Sequence, residues 1–212
     1  MLDLPESTIF NKRIPKQKFY DNLSVTSQLK KIFVEQISQI IWRNKISPTT
    51  INISAGEIVA EIEVIVVKLN KKELDKRVLQ LIDKEIPYHI LFLLEYSNEI
   101  QAWICYKEPT KSTTFKTGVY YHTDWLVPES LNLRIDGLDM DMLYENFIRQ
   151  IAGERLGDVD TAIKEAITRD EQQQKLLKEI TKLEKKAMTE KQPRRKWELA
   201  EDIRKLKEEM EK

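Results

Sequence analysis

Residues 89–107 read HILFLLEYSNEIQAWICYK. Two apolar runs, 89–96 and 99–107, flank Ser97-Asn98, and so short a polar break predicts a tight antiparallel hairpin. Upstream, KKELDKRVLQLIDKEI (71–86) sets Leu74, Val78, Leu79 and Ile82 on one helical face, and Ile86-Pro87 ends that helix. AEIEVIVVK (60–68) lies within a strand expected over about 57–69. Downstream, a strand is expected near 117–125 and a helix over 139–151, where Leu143, Phe147 and Ile151 are spaced by four.

Toward the N-terminus, Leu29, Ile32, Phe33, Ile37, Ile40 and Ile41 recur at three- and four-residue steps, which predicts a helix over about 24–44. Ser47-Pro48 interrupts the chain, TTINIS (49–54) suits a short strand, and SAGE (54–57) suits a turn. Residues 1–22 read as a basic arm. Strands grouped in hairpins with few helices between them specify an α+β fold. The expected sheet is mixed or antiparallel, with about five strands and helices on one face.

The chain changes character after Gly153. Residues 154–212 hold 16 Lys/Arg and 15 Asp/Glu in 59 positions, so this stretch must be largely solvated. Its apolar residues fall at Leu176, Ile180, Leu183 and Ala187, then at Leu199, Ile203, Leu206 and Met210, in the steps of a coiled-coil seam. Pro193 separates the two sets and suits the first turn of a second helix. Two domains are therefore expected. One is an α+β globular domain with a basic arm over 1–153. The other is a helical extension over 154–212, ending in an antiparallel coiled-coil hairpin.

Composition removes several classes of function. Lys+Arg and Asp+Glu both number 35, so overall charge selects no partner. One cysteine, Cys105, sits in the apolar AWICY and reads as a core thiol. Two histidines and one cysteine are too few for a structural zinc site. The five glycines form no Gly-x-x-x-x-Gly-Lys loop, and no Gly-x-Ser-x-Gly elbow occurs. MLDLPESTIF lacks the pattern of a secretion signal, and no window approaches a membrane span, so a cytoplasmic protein is expected.

Five stretches carry a resemblance: NKRIPKQKFY (11–20), IWRNKISPTTIN (41–52), LQLIDKEIPYHILFLLEY (79–96), YHTDW (121–125) and LEKKAMTEKQPRRKWELAEDIRKLKEEME (183–211). Together they resemble an uncharacterised bacterial family catalogued as a domain of unknown function, along nearly the whole chain. The resemblance implies gene clusters holding helicases and DNA methyltransferases, of the restriction or phage-defence kind. A helicase or methyltransferase partner would follow. It implies no catalytic residue and no cofactor.

Three groups of residues are candidates for function. Glu61 and Glu63 share a strand face, as do His122 and Asp124. If the two strands were neighbours, these four could hold a divalent cation, as in a metal-dependent nuclease. The alternative, which we prefer, is the wet side of a half-covered sheet, with no metal and no catalysis. A Glu-x-Lys nuclease pair is absent, since Val66 and Cys105 stand two residues before Lys68 and Lys107. The second group is basic: Lys12, Arg13, Lys16 and Lys18 beside Phe19 and Tyr20, and Arg194, Arg195 and Lys196 at the hairpin tip. Residues 182–196 contain seven basic and two acidic side chains, a local charge of +5 that suits phosphates. The third group is Trp197, Leu199 and Met210, a stripe suited to a protein partner or a second copy. The expectation is a non-enzymatic accessory protein of a DNA-processing or defence assembly. It would bind a protein partner and DNA, or pair with itself through the hairpin.

Overall fold

The computed structural model of the protein describes residues 4–20, 25–109, 115–157 and 160–210. The chain divides into two compact units, Met1–Gly153 and Glu154–Lys212. The first unit is an α+β fold built on a mixed sheet of six strands: β1 (Ile9–Ile14), β2 (Ile37–Ile46), β3 (Ile62–Leu69), β4 (His89–Tyr96), β5 (Glu99–Pro109) and β6 (Phe115–His122). The strands lie in sequence order across the sheet. Every neighbouring pair is antiparallel except β3 and β4, which are parallel. Their crossover carries helix α4 (Lys76–Glu85), as a parallel pair requires.

The central strands are apolar throughout because both faces are covered. Seven of the eight residues of β3 are buried, as are the first six of β4. On one face, α1 (Gln17–Tyr20), α2 (Ser27–Gln36) and α4 close over Phe33, Ile37, Ile40, Ile65, Val67, Leu79, Ile82 and Phe92. Ile90 belongs to this cluster, so the adjacent His89 points the other way. There its ring meets Tyr144 at 4.4 Å, which places α5 (Met140–Ala152) on the opposite face. Helices thus cover both faces. Asp75 and Asp139 cap α4 and α5, accepting from the Arg77 and Met142 amides at 3.0 and 2.8 Å.

Three expectations for the N-terminal third require correction. The helix expected over 24–44 ends at Gln36, and residues 37–46 form β2. The basic arm contributes an edge strand, β1; with β1 and β2 gained and TTINIS lost, the sheet has six strands rather than five. TTINIS is not a strand: α3 (Pro48–Ile51) is a single helical turn, with the Ser47 amide donating to Thr50 Oγ1 at 2.9 Å. The hairpin is as expected. Ser97 supports its turn from the left-handed region at φ 52°, and Tyr96 pairs with Glu99.

The second unit contains α6 (Ile163–Thr189) and α7 (Pro193–Met210). Pro193 opens α7, and the break falls at residues 190–192. Glu209 and Met210, at the end of α7, lie beside Gln172, Gln173 and Leu176 in the middle of α6, as an antiparallel arrangement requires, and Lys207 meets Glu184 at 2.9 Å. Ile180 is buried, while Leu176, Leu183, Leu199, Ile203 and Leu206 are half-buried. Among the described residues, no helix is long and apolar enough to cross a membrane.

Candidate functional site

Glu61 and Glu63 do not form the wet side of the sheet. Glu61 is half-buried and pairs with Lys45 at 2.5 Å. Glu63 is only 1% exposed. Its position on β3, opposite Lys45 of β2, turns its side chain toward a pocket of about 340 Å³. Ile14 of β1, Lys18 and Phe19 of α1, Trp42 of β2, Ile65 of β3, Glu85 of α4, and Ile86, Pro87 and Tyr88 line the rest of it. Neither carboxyl oxygen of Glu63 has a hydrogen-bond partner, and neither does the buried Trp42 Nε1. Glu61 and the Trp42 indole both lie within interacting reach of the Glu63 carboxyl, Glu61 strengthening its hold on a proton and Trp42 weakening it. Burial, reinforced by Glu61, pushes the Glu63 carboxyl up to about 8, so its proton is held near neutral pH.

His122 is on β6, and two strands separate β6 from β3. At roughly 4.8 Å per strand, the Glu61–Glu63 pair is about 14 Å from the His122 register. His122 is exposed, stacks on Trp103 at 4.3 Å and has Nδ1 3.3 Å from Gln101 Nε2. Asp124 is also exposed, beyond the end of β6. The four residues therefore do not converge, and a shared metal among them is ruled out by strand order. Among the described residues, no cluster of three His, Cys, Asp or Glu side chains could hold a metal ion.

The sheet brings together a polar centre that spacing alone did not reveal. Lys107 of β5 pairs with Asp83 of α4 at 2.7 Å, and both side chains are essentially inaccessible. Tyr120 donates to Asp83 at 2.5 Å, and Lys107 Nζ donates to the Tyr88 carbonyl at 2.5 Å. Burial raises the Asp83 carboxyl, while Lys107 and Tyr120 oppose the shift. Burial also holds the neighbouring Cys105 thiol up at about 12, so it is an inert core thiol. On the other face, burial and the charge of Lys107 hold His89 down at about 3, a neutral ring between Phe115 and Tyr144. Asp83 and His89 gave no sequence signal because each follows the period of an otherwise ordinary helix or strand.

The N-terminal basic set divides. Lys12 is exposed on the edge strand and lies 4.3 Å from the Phe10 ring centroid, and Arg13 beside it is exposed. Lys16 donates to the Ile37 carbonyl at 2.7 Å, a tether for the arm. Lys18 lines the pocket, and Phe19 is buried against Phe33. At the hairpin, Arg194, Arg195 and Lys196 are exposed, and Arg194 lies 3.3 Å from Glu198. Trp197 is 66% exposed, Leu199 is half-buried and Met210 is exposed.

No curated protein and no solved structure matches the chain. A family match spans residues 2–210, taking in both the sheet with its pocket and the α6–α7 pair. The chain accordingly belongs to the family described as Domain of unknown function (DUF4391).

Proposed function

We propose that the protein acts by binding, as a non-enzymatic component of a larger assembly, and that the α6–α7 pair is its docking arm. One observation carries this reading: α7 runs for 18 residues without a single buried side chain. Its apolar stripe is covered on one side by α6, and large apolar groups remain at its flank. Trp197 and Met188 are 66% and 85% exposed. An exposed indole beside three cations suits a surface that meets a partner.

The cations give this arm a second use. Arg194, Arg195 and Lys196 lie at the start of α7, where they can meet phosphates without disturbing packing. The DNA-processing or phage-defence setting, with a helicase or methyltransferase as the protein partner, is the one the family resemblance suggests. The triple reversal of Arg194, Arg195 and Lys196 to Glu tests the DNA component. Folding should be unchanged, and affinity for duplex DNA should fall steeply and equally for all sequences, with a shallower salt dependence. Equal binding before and after reversal would refute it.

A further inference from the structure

The half-buried Leu199, Ile203 and Leu206 mark the side of α7 that meets α6. At about 100° per residue, Trp197 lies about 150° round the helix from that seam. Arg194, Glu201, Arg204 and Glu208 share this outward side, and Glu198 and Lys205 border it. All of these are exposed except Glu201, which is half-buried. Arg194 pairs along the helix with Glu198 at 3.3 Å, and Arg204 with Glu201 and Glu208 at 2.9 and 3.7 Å. Exposed pairs of this kind are weak, so trading them for contacts with another molecule costs little. The order of charge from 194 through 198, 201 and 204 to 208 is positive, negative, negative, positive, negative. Reversed about Glu201 and laid against itself, this face sets every charge except Glu201 against its opposite.

We propose that α7 pairs antiparallel with α7 of a second copy about a two-fold axis at Glu201, so that Arg194 meets Glu208 and Arg204 covers Trp197 of the other copy. This rests on the reading of the α6–α7 pair as a docking arm, and it names the occupant of the arm's outer face. Two-fold symmetry makes each contact twice. Glu198 comes beside Lys205 of the second copy, and a guanidinium over an indole ring is a favourable cation–π arrangement. The two Glu201 side chains on the axis form the one like-charge contact, and Arg204, 2.9 Å from Glu201, offsets it. Parallel pairing would set Arg194 against Arg194 and bring together two tips that each carry a local charge of +5 over residues 182–196. The antiparallel register holds the tips about 30 Å apart, some three Debye lengths at ordinary ionic strength. Arg195 and Lys196 lie off this seam, so pairing leaves them for phosphates.

The experiment is sedimentation equilibrium of the full chain at low salt, from micromolar to submillimolar concentration. Wild type should show a reversible monomer–dimer equilibrium that weakens as salt is added. Glu208→Arg sets Arg against Arg twice and should weaken the dimer about threefold to tenfold. Combining it with Arg194→Glu exchanges the two charges and should restore wild-type association. Trp197→Ala should weaken the dimer about tenfold. These side chains are exposed, so the fold should survive each change, and circular dichroism checks that helicity is kept. The measurement contains no DNA, and Glu208→Arg leaves Arg194, Arg195 and Lys196 in place, so failure here and failure of the DNA reading are separate results. A chain that stays monomeric across the whole range would overturn the proposal. Association that Glu208→Arg does not weaken, or that the exchanged pair does not restore, would overturn it by placing the contact on another face.

Discussion

Glu63 and His89 are buried titratable side chains whose burial acts in opposite directions on stability. In the folded protein the Glu63 carboxyl keeps its proton to about pH 8, whereas in the unfolded chain it loses it near its ordinary value of 4.5. Between those values the folded state binds more protons, so stability falls as pH rises, by at most about 1.4 kcal/mol per pH unit. His89 stays neutral down to about pH 3, while its unfolded counterpart gains a proton below 6.5. Stability therefore also falls as pH drops through that window. The two slopes oppose one another between pH 4.5 and 6.5, and the interval from 6.5 to 8 isolates Glu63. Urea unfolding at pH 6.5 and pH 8 should show the gap between Glu63→Gln and wild type widening by up to about 2 kcal/mol in favour of the variant. A constant gap would mean that Glu63 ionises in the folded protein. Asp83 and Lys107 differ from these two in being paired, and a buried pair of this kind confers geometry more dependably than stability. Its contacts join α4, β5, β6 and the Tyr88 carbonyl in one network.

At the scale of elements, β2 explains why three- and four-residue spacing can mislead. Register shifts between Ile37 and Gln39 and between Trp42 and Asn44 interrupt its two-residue alternation. A bulged strand thereby acquires the spacing of a helical face. The β-branched Ile37, Ile40, Ile41 and Ile46 favour the extended form, and hydrogen bonding to both β1 and β3 secures it. The segment before β3 is organised by α5. The Asp141 carboxylate accepts from the amides of Glu57, Ile58 and Val59 at 2.7, 3.1 and 2.7 Å. Gly56 permits that approach, since a Cβ there would lie 2.2 Å from Asp141 Oδ1 and 2.9 Å from the Asp141 backbone nitrogen. Gly56→Ala should therefore cost about 1–3 kcal/mol in chemical denaturation, the usual consequence of overpacking. Wild-type stability in that variant would show that Asp141 yields without loss.

At the scale of the whole molecule, the two units differ in how they are stabilised. The first has a core that spans the sheet, from Phe33 and Ile65 to Phe147 and Tyr121. The second keeps most of its seam half-buried and its surface charged. A chain ending at Gly153 should therefore retain cooperative thermal unfolding, since 153 residues with a two-faced core are ample for an independent domain. Circular dichroism of that chain would show the result, and a broad, non-cooperative melt would mean that the first unit requires the second. Loss of partner capture by the same chain would assign docking to the helical pair.

Alternation, turn chemistry and helical period act locally, and they were sufficient for the hairpin at Ser97-Asn98, for α4 and α5, and for the change of character at Gly153. The seam and Pro193 likewise specified two helices in the tail. What lies beside what is not a local property. Strand order decided that Glu63 and His122 stand apart, and pairing with β1 and β3 secured a strand rather than a helix after Gln36. The closing of α1 and α4 over β3 turned Glu63 from a solvated acid into a buried one facing a pocket. Asp83 and Lys107 met because α4 crosses the face that β5 presents. Each of these depends on contacts between residues distant in the chain, where the free energy of burial outweighs local preference.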